Sequence, residues 1–251
     1  MKRCPRTTAV AVLAMLSVML GAAPPPSPAA PPESTKTPVA ETKADDKKTD
    51  DPYAWKSLFD AKTLTGWKAP KFGGEGEVKV EDGMIILGLG DGITGATYTG
   101  ELPKINYEVT LEGKRLDGND FFCTTTFPVG DSPCTFVVGG WGGTVVGLSN
   151  VDFYDAADNV TTNFHDLKKD TWYRIRIRVS DSKIEAWIGD DKLVDLPTEG
   201  HKFSIRWEVD LCKPLGIASW CTKGAVRDIR IRKLKPEEVK QIAEETAKQK
   251  G

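Results

Sequence analysis

Two-residue alternation of apolar and polar side chains is the feature that most limits what this chain can fold into. Ile105, Tyr107, Val109 and Leu111 alternate with Asn106, Glu108, Thr110 and Glu112. Tyr173, Ile175, Ile177 and Val179 alternate with Arg174, Arg176 and Arg178. Ile184, Ala186 and Ile188 oppose Glu185 and Trp187, Phe203 through Val209 oppose Ser204, Arg206 and Glu208, and Ile229 and Ile231 oppose Arg230 and Arg232. Successive side chains of a strand point to opposite faces, so each segment buries one face and wets the other. Turn signals such as Glu81-Asp82-Gly83, Gly130-Asp131-Ser132-Pro133 and Gly189-Asp190-Asp191 punctuate the strands. Many short strands without intervening helices predict an all-β, two-sheet antiparallel sandwich over residues 53–235. The one convincing helix comes last, where Pro236-Glu237-Glu238 opens a first turn and Val239, Ile242, Ala243 and Thr246 recur at helical spacing. Over 236–251 it is expected to be a loosely held tail.

The residues before the sandwich carry a different signal. Lys2, Arg3 and Arg6 precede an uncharged apolar run from Ala9 to Leu20 and the small residues Gly21, Ala22 and Ala23. That order is a secretory signal over 1–23, and the run is shorter than the ~20 residues a membrane helix needs. Residues 24–52 are Pro, Ala, Thr and charged residues, a composition that cannot bury enough surface to order itself, so a disordered linker is expected. The protein is therefore expected outside the cytoplasm, with no transmembrane span once the signal is removed. A formal charge of −2, from 34 Lys+Arg and 36 Asp+Glu, offers no bulk attraction to nucleic acid or anionic membranes. A neutral, polar ligand suits that balance better.

Several stretches resemble one family. Trp55-Lys56-Ser57-Leu58-Phe59-Asp60, Leu64-Thr65-Gly66-Trp67 and Val80-Glu81-Asp82-Gly83-Met84-Ile85 are similar to the opening of the 3-keto-disaccharide hydrolases. Gly118-Asn119-Asp120-Phe121-Phe122, Trp172-Tyr173-Arg174-Ile175 and Ala225-Val226-Arg227-Asp228-Ile229-Arg230 continue the match. The resemblance implies a concanavalin A-like jelly roll with a concave, sugar-facing sheet, and hydrolysis of glycosides oxidised at C3. The chain departs from the family where members carry Gly-Asn-Ser-Gly and an acidic Glu-x-Gln-x-x-Asp strand. Here Gly118-Asn119-Asp120-Phe121 and the carboxylate-free run Phe136 to Gly143 stand instead. Asn119 alone carries over as a substrate-binding position.

An ordinary glycosidase needs two carboxylates flanking the scissile bond. A 3-keto sugar permits another route: the ketone acidifies the C2 hydrogen, so one tuned base and one group polarising the ketone suffice. Asp120, Asp152 and His165 are the catalytic candidates. Against them stand turn chemistry for Asp120, a solvated acidic loop (Asp152, Asp155, Asp158) and an ordinary surface histidine. Trp141 and Trp220 are candidate platforms for a pyranose ring; Trp141 sits between Gly139-Gly140 and Gly142-Gly143, and Trp220 follows the small residues Gly216 and Ala218. Arg206 and Glu208 share a strand face and are either an ion pair or site residues. The arginines at 174, 176 and 178 are expected to form a solvated outer face, paired with Glu185 or Asp228 and with Trp187 against their stems. No cofactor is required. The oxygen-rich loop is compatible with a divalent metal such as Ca²⁺, whereas His165 and His201, the only two histidines, exclude a three-histidine zinc site.

Cys123, Cys134, Cys212 and Cys221 remain after signal removal, an even number for an oxidising compartment. Cys123 and Cys134 flank the Phe127 to Pro133 turn of an expected hairpin, and a bridge between them is favoured. For Cys212 and Cys221 a continuous strand would separate the ends by ~30 Å; either the strand breaks near Pro214 or those thiols stay free. Three function classes follow: an exported hydrolase acting on 3-keto glycosides, a carbohydrate-binding module using the same face, or an envelope interaction protein.

Overall fold

The computed structural model describes residues 51–249. The signal over 1–23 and all but the last residues of the 24–52 linker lie outside the described residues.

The described chain folds as two antiparallel sheets packed face to face. The strands are β1 (Lys56–Ser57), β2 (Trp67–Lys68), β3 (Val78–Glu81), β4 (Met84–Leu87), β5 (Ile93–Tyr98), β6 (Tyr107–Asp117), β7 (Thr124–Val129) and β8 (Ser132–Gly140). They continue with β9 (Val145–Ser149), β10 (Asn163–Phe164), β11 (Trp172–Val179), β12 (Lys183–Ile188), β13 (Asp191–Pro197), β14 (Leu215–Trp220) and β15 (Lys223–Lys233). One sheet runs β13-β12-β11-β6-β15-β4-β3 with β1 on β15; the other runs β10-β9-β8-β7-β14-β5-β2. Helix α1 (Pro236–Gln249) closes the described chain. None of the described helices is long and apolar enough to cross a membrane.

The alternation lands where the pattern predicts. Val109, Leu111, Ile175, Ile177, Val179, Ile184, Ala186 and Ile188 of the first sheet meet Phe127, Phe136, Val138, Val146, Leu148 and Ile217 of the second in one buried core. Each large apolar side chain so buried contributes about 1.5–3 kcal/mol. On the outer face of the first sheet the Arg176 guanidinium stacks 3.6 Å from the Trp187 ring, and Arg178 bonds Glu185 at 2.6 Å. Asp228 pairs with Arg230 at 2.6 Å rather than with the β11 arginines.

Three expectations are corrected. Cys123 and Cys134 form no bridge: both are buried free thiols. The β7–β8 register pairs Cys134 with Phe127, four residues along from Cys123, so the two lie about 13 Å apart at ~3.3 Å per residue, beyond the ~7 Å limit for bridged Cα atoms. Cys123 instead packs against Gly113, where a methyl would overlap its sulfur. Cys212 is also a free buried thiol and makes no bridge to Cys221. The chain turns at a cis Lys213–Pro214 bond before β14 begins at Leu215.

The alternating stretch 203–209 is not a strand. It crosses the outer face of the second sheet, touches Val151 through one bridge at Phe203, and winds into a 3-10 turn over Trp207–Cys212. A segment with no sheet edge to join can satisfy its backbone by winding, and the threefold repeat puts Val209 and Cys212 on one side. They pack over β5 and β14 at Gly95 and Gly216; a methyl on Gly216 would stand 2.5 Å from the Cys212 carbonyl. The small residues Gly95 and Gly216 thus seat this turn.

The final helix is docked, not loose. Ile242 and Thr246 are buried, Glu238 holds Arg232 through both carboxylate oxygens at 2.7 and 2.8 Å, and Gln249 reaches Asp195 at 3.2 Å. Beneath it, Lys183 and Glu185 on β12 are each only 1% exposed although they face away from the sandwich core.

Candidate active site

The outer face of the second sheet carries the site. On β7, β8 and β9, hydroxyl residues alternate with the core residues: Thr124 and Thr126 oppose Phe127, Thr135 opposes Cys134 and Phe136, and Ser149 follows Leu148. Crossed by the 201–212 segment, that face leaves a cleft of about 210 Å³ lined by Asp120, Trp141, Trp220, Arg206, Glu208 and the sheet residues Ile93, Phe121, Thr124, Thr135, Val137, Ser149 and Val209. Its size is below the ~300–1,000 Å³ of sites for drug-sized ligands and matches a single ring.

Asp120 stands where β6 hands over to β7. Its Oδ1 accepts the Phe121 N–H at 2.8 Å and its Oδ2 the Gly142 N–H at 3.1 Å, while its own N–H donates to Thr222 Oγ1 at 3.0 Å. Burial raises its carboxyl above the usual aspartate value; the Phe121 and Gly142 amides and the Arg115 charge pull part of the way back. A carboxylate raised by burial, held only by backbone amides and facing a cleft is suited to take a proton.

Opposite it, Arg206 is fixed by carboxylates. Its Nε and Nη2 donate to Glu208 at 3.2 and 2.7 Å, and its Nη1 donates to Asp155 at 2.8 Å. Glu208 first, and then Asp155, make the guanidinium hold its proton more tightly than an ordinary arginine does. Arg206 and Glu208 are thus both an ion pair and part of the site. Trp141, at a positive φ of 49° and 46% exposed, projects from the glycine-rich turn, and Trp220 closes the β14 end.

The other expected site residues fall elsewhere. Asn119 is exposed at the exit of β6 and does not line the cleft. Asp152 accepts from the Lys202 N–H at 2.8 Å and contacts His201 Nδ1 at 2.6 Å, and the amide and then the histidine lower its carboxyl. That contact ties the 150–158 loop to the 201–206 segment, outside the cleft. His165 lies edge-on to Tyr173, ring centroids 6.4 Å apart, and its backbone N–H donates to the Thr144 carbonyl. No group of three or more His, Cys, Asp or Glu is arranged to hold a metal ion among the described residues. Arg115, Thr124, Thr135 and Ser149 had no place in the sequence-based site, and Asp155 entered it only as part of the acidic loop. The hydroxyls were signalled by alternation with core residues, and Arg115 by a charge standing in the inward series of Val109, Leu111 and Gly113.

Comparison with known families decides the lineage. The model of the 3-keto-alpha-glucoside-1,2-lyase-like domain matches residues 54–232. The chain belongs to this family. Among solved structures, the lyase-like domain is similar in fold to a Crh5 transglycosylase in complex with NAG, at 13% identity and TM-score 0.50 over 73% of this chain and 84% of that one. It is also similar to SCLam, a non-specific endo-β-1,3(4)-glucanase, at 8% identity and TM-score 0.50 over 72% and 90%. A structure of endo-acting O-glycanases from the human gut microbiota gives 9% identity and TM-score 0.50 over 72% and 99%. At such identities the likeness is one of fold, a jelly-roll sandwich. A comparison with curated proteins finds no match. The chain thus belongs to a family of carbohydrate-active jelly-roll domains.

Proposed function

We propose that this protein cleaves glycosides oxidised at C3 by elimination across C1 and C2, followed by addition of water. The observation that carries the reading is the inequality of the two carboxylates in the cleft. Asp120 is raised by burial and bound only by amides, whereas Glu208 is tied through both oxygens to Arg206. A glycosidase of the two-carboxylate kind needs a second carboxylate free to attack the sugar or to activate water; Glu208, with both oxygens engaged by Arg206, is not free to do either. A single base suffices for a 3-keto sugar.

In this reading Asp120 removes the C2 proton, and its electron pair passes into the ketone as an enolate. The fixed positive charge of Arg206 stabilises the developing oxyanion without rearranging. Collapse of the enolate forms the C1–C2 double bond and breaks the C1–O bond, and the departing oxygen takes up a proton. Water then adds across the double bond to give the free 3-keto sugar. Trp141 and Trp220 hold the ring by its C–H faces, and Thr124, Thr135 and Ser149 offer hydroxyl partners. The basic, apolar and small residues of 1–23 support a site of action outside the cytoplasm.

The test is incubation of the purified protein with 3-keto-trehalose and 3-keto-lactose, following free 3-keto-glucose and the unsaturated intermediate, with and without a chelator. Release that disappears in Asp120→Asn and persists in chelator supports the mechanism. Sugar binding without release overturns it in favour of a binding module, and loss of release in chelator shows that a divalent metal takes part.

A further inference from the structure

We propose that Arg115 is a positioning residue of this cleft, an internal clamp whose guanidinium fixes the strand exit bearing Asp120 and the glycine-rich turn bearing Trp141 relative to each other. The inference rests on Asp120 acting as the base.

Arg115 continues the inward series of β6 after Val109, Leu111 and Gly113, and is buried although it carries a charge. Its Nε donates to the Asp120 carbonyl at 3.2 Å, its Nη1 to the Leu167 carbonyl at 3.0 Å and its Nη2 to the Gly143 carbonyl at 3.1 Å. The three acceptors sit on three separate segments that converge at one end of the cleft. The guanidinium also lies 5.0 Å from the centre of the Phe122 ring. Among the described residues no carboxylate forms an ion pair with it. A buried cation satisfied only by carbonyls costs stability, which is hard to reconcile with a purely structural role when an apolar side chain would fill the space.

The glycines explain why the site needs this arginine. A methyl on Gly139 would stand 2.6 Å from Arg115 Nη2, and one on Gly143 would stand 3.4 Å from both Nη atoms. The run Gly139-Gly140-Trp141-Gly142-Gly143 is therefore the seat of the guanidinium, and the same turn returns the Gly142 N–H to Asp120 Oδ2. Clamp, turn and base form one connected unit. A lysine keeps the charge but cannot span three carbonyls with a planar fork.

The charged and titratable groups around this unit are few. Arg115 faces Asp120 from β6, Arg206 and Glu208 face it across the cleft, and Cys123 and Tyr173 lie near the guanidinium. Removing the Arg115 charge therefore changes the field at Asp120 without a second cation on the same side to replace it.

The experiment compares the full chain with Arg115→Gln and Arg115→Lys. The Asp120 carboxyl is titrated by carbon-13 NMR, and kcat and KM on 3-keto-trehalose are measured against pH. Arg115→Gln is expected to move the Asp120 titration upward by about one unit, carry the acid limb of kcat/KM with it, and lower kcat/KM at least tenfold. Arg115→Lys is expected to leave the titration near its original position while raising KM, because the charge remains but the turn is released. If either variant fails to fold, Gly139→Ala displaces the guanidinium with the arginine retained, and is expected to raise KM as Arg115→Lys does. Folded variants with lower Tm but unchanged titration, pH profile and KM overturn the proposal. An unaltered protein without turnover sinks the elimination mechanism instead; the NMR titration then still decides whether Arg115 sets the state of Asp120.

Discussion

Asp120 and Glu208 line one cleft, yet their surroundings push them to different tasks. Burial raises Asp120, so its ionised, basic form predominates only above a pH higher than the ordinary aspartate value. The rate on a 3-keto substrate should accordingly rise with pH through that raised value, with the acid limb of kcat/KM as the readout. Asparagine at 120 cannot accept a proton, and Asp120→Asn should lower kcat by about 10²–10⁴-fold with little change in sugar affinity. Trp220→Ala should weaken sugar binding about tenfold, or ~1.4 kcal/mol, measured by calorimetric titration. Asp120, Trp141 and Trp220 were legible because each broke a local pattern: an acid in a turn, an aromatic among glycines, an aromatic after two small residues. Asp152 and His165 broke patterns too, but their partners, His201 and Tyr173, come from strands and loops that only the fold brings near.

Among the elements, α1 and the 203–212 segment show how burial overrides a local reading. The helix has only Ile242 and Thr246 buried among its exposed residues, which from the sequence alone suggests weak docking. Its attachment also runs through charge. Arg232, Glu108 and Glu238 form one cluster, and the Arg232 guanidinium lowers the Glu238 carboxyl to about 2. Glu238 is thus less readily protonated folded than unfolded. Its contribution is present above the unfolded value of about 4.5 and is lost as pH falls from there toward 2. Glu238→Gln should remove that part of the acid dependence, seen as a smaller drop in Tm between pH 5 and pH 3 than in the unaltered chain. Ile242→Ala should cost about 2 kcal/mol, at the low end for a buried isoleucine, read from denaturant unfolding. For 203–212, the period-two pattern marked Val209 as inward but also Trp207, which the winding of the 3-10 turn leaves 71% exposed. The missing information was that both faces of the second sheet are covered, so an alternating segment could lie across it.

At the scale of the whole molecule, that double cover shapes the protein. The second sheet buries one face in the sandwich core and the other beneath the crossing segment, and the cleft is what the cover leaves open. The same arrangement seals the thiols. Cys123 and Cys134 lie in the sandwich core and Cys212 under the crossing turn, and burial pushes the Cys134 and Cys212 thiols up to about 12 and Cys123 well up as well. Alkylation followed by peptide mapping should leave these three unlabelled in the native chain and label them in denaturant; labelling of Cys123 or Cys134 in the native state would contradict this packing.

The sequence alone determined the all-β class, the antiparallel strands, the terminal helix and the family, because alternation, turn residues and helical spacing are local signals that burial reinforces. Only the tertiary structure decided which candidates share a cleft, which cysteines are too far apart to bridge, and which carbonyls Arg115 meets inside the protein. Those outcomes depend on strand register and on which segment covers which face, and both are set by contacts between residues far apart in the chain.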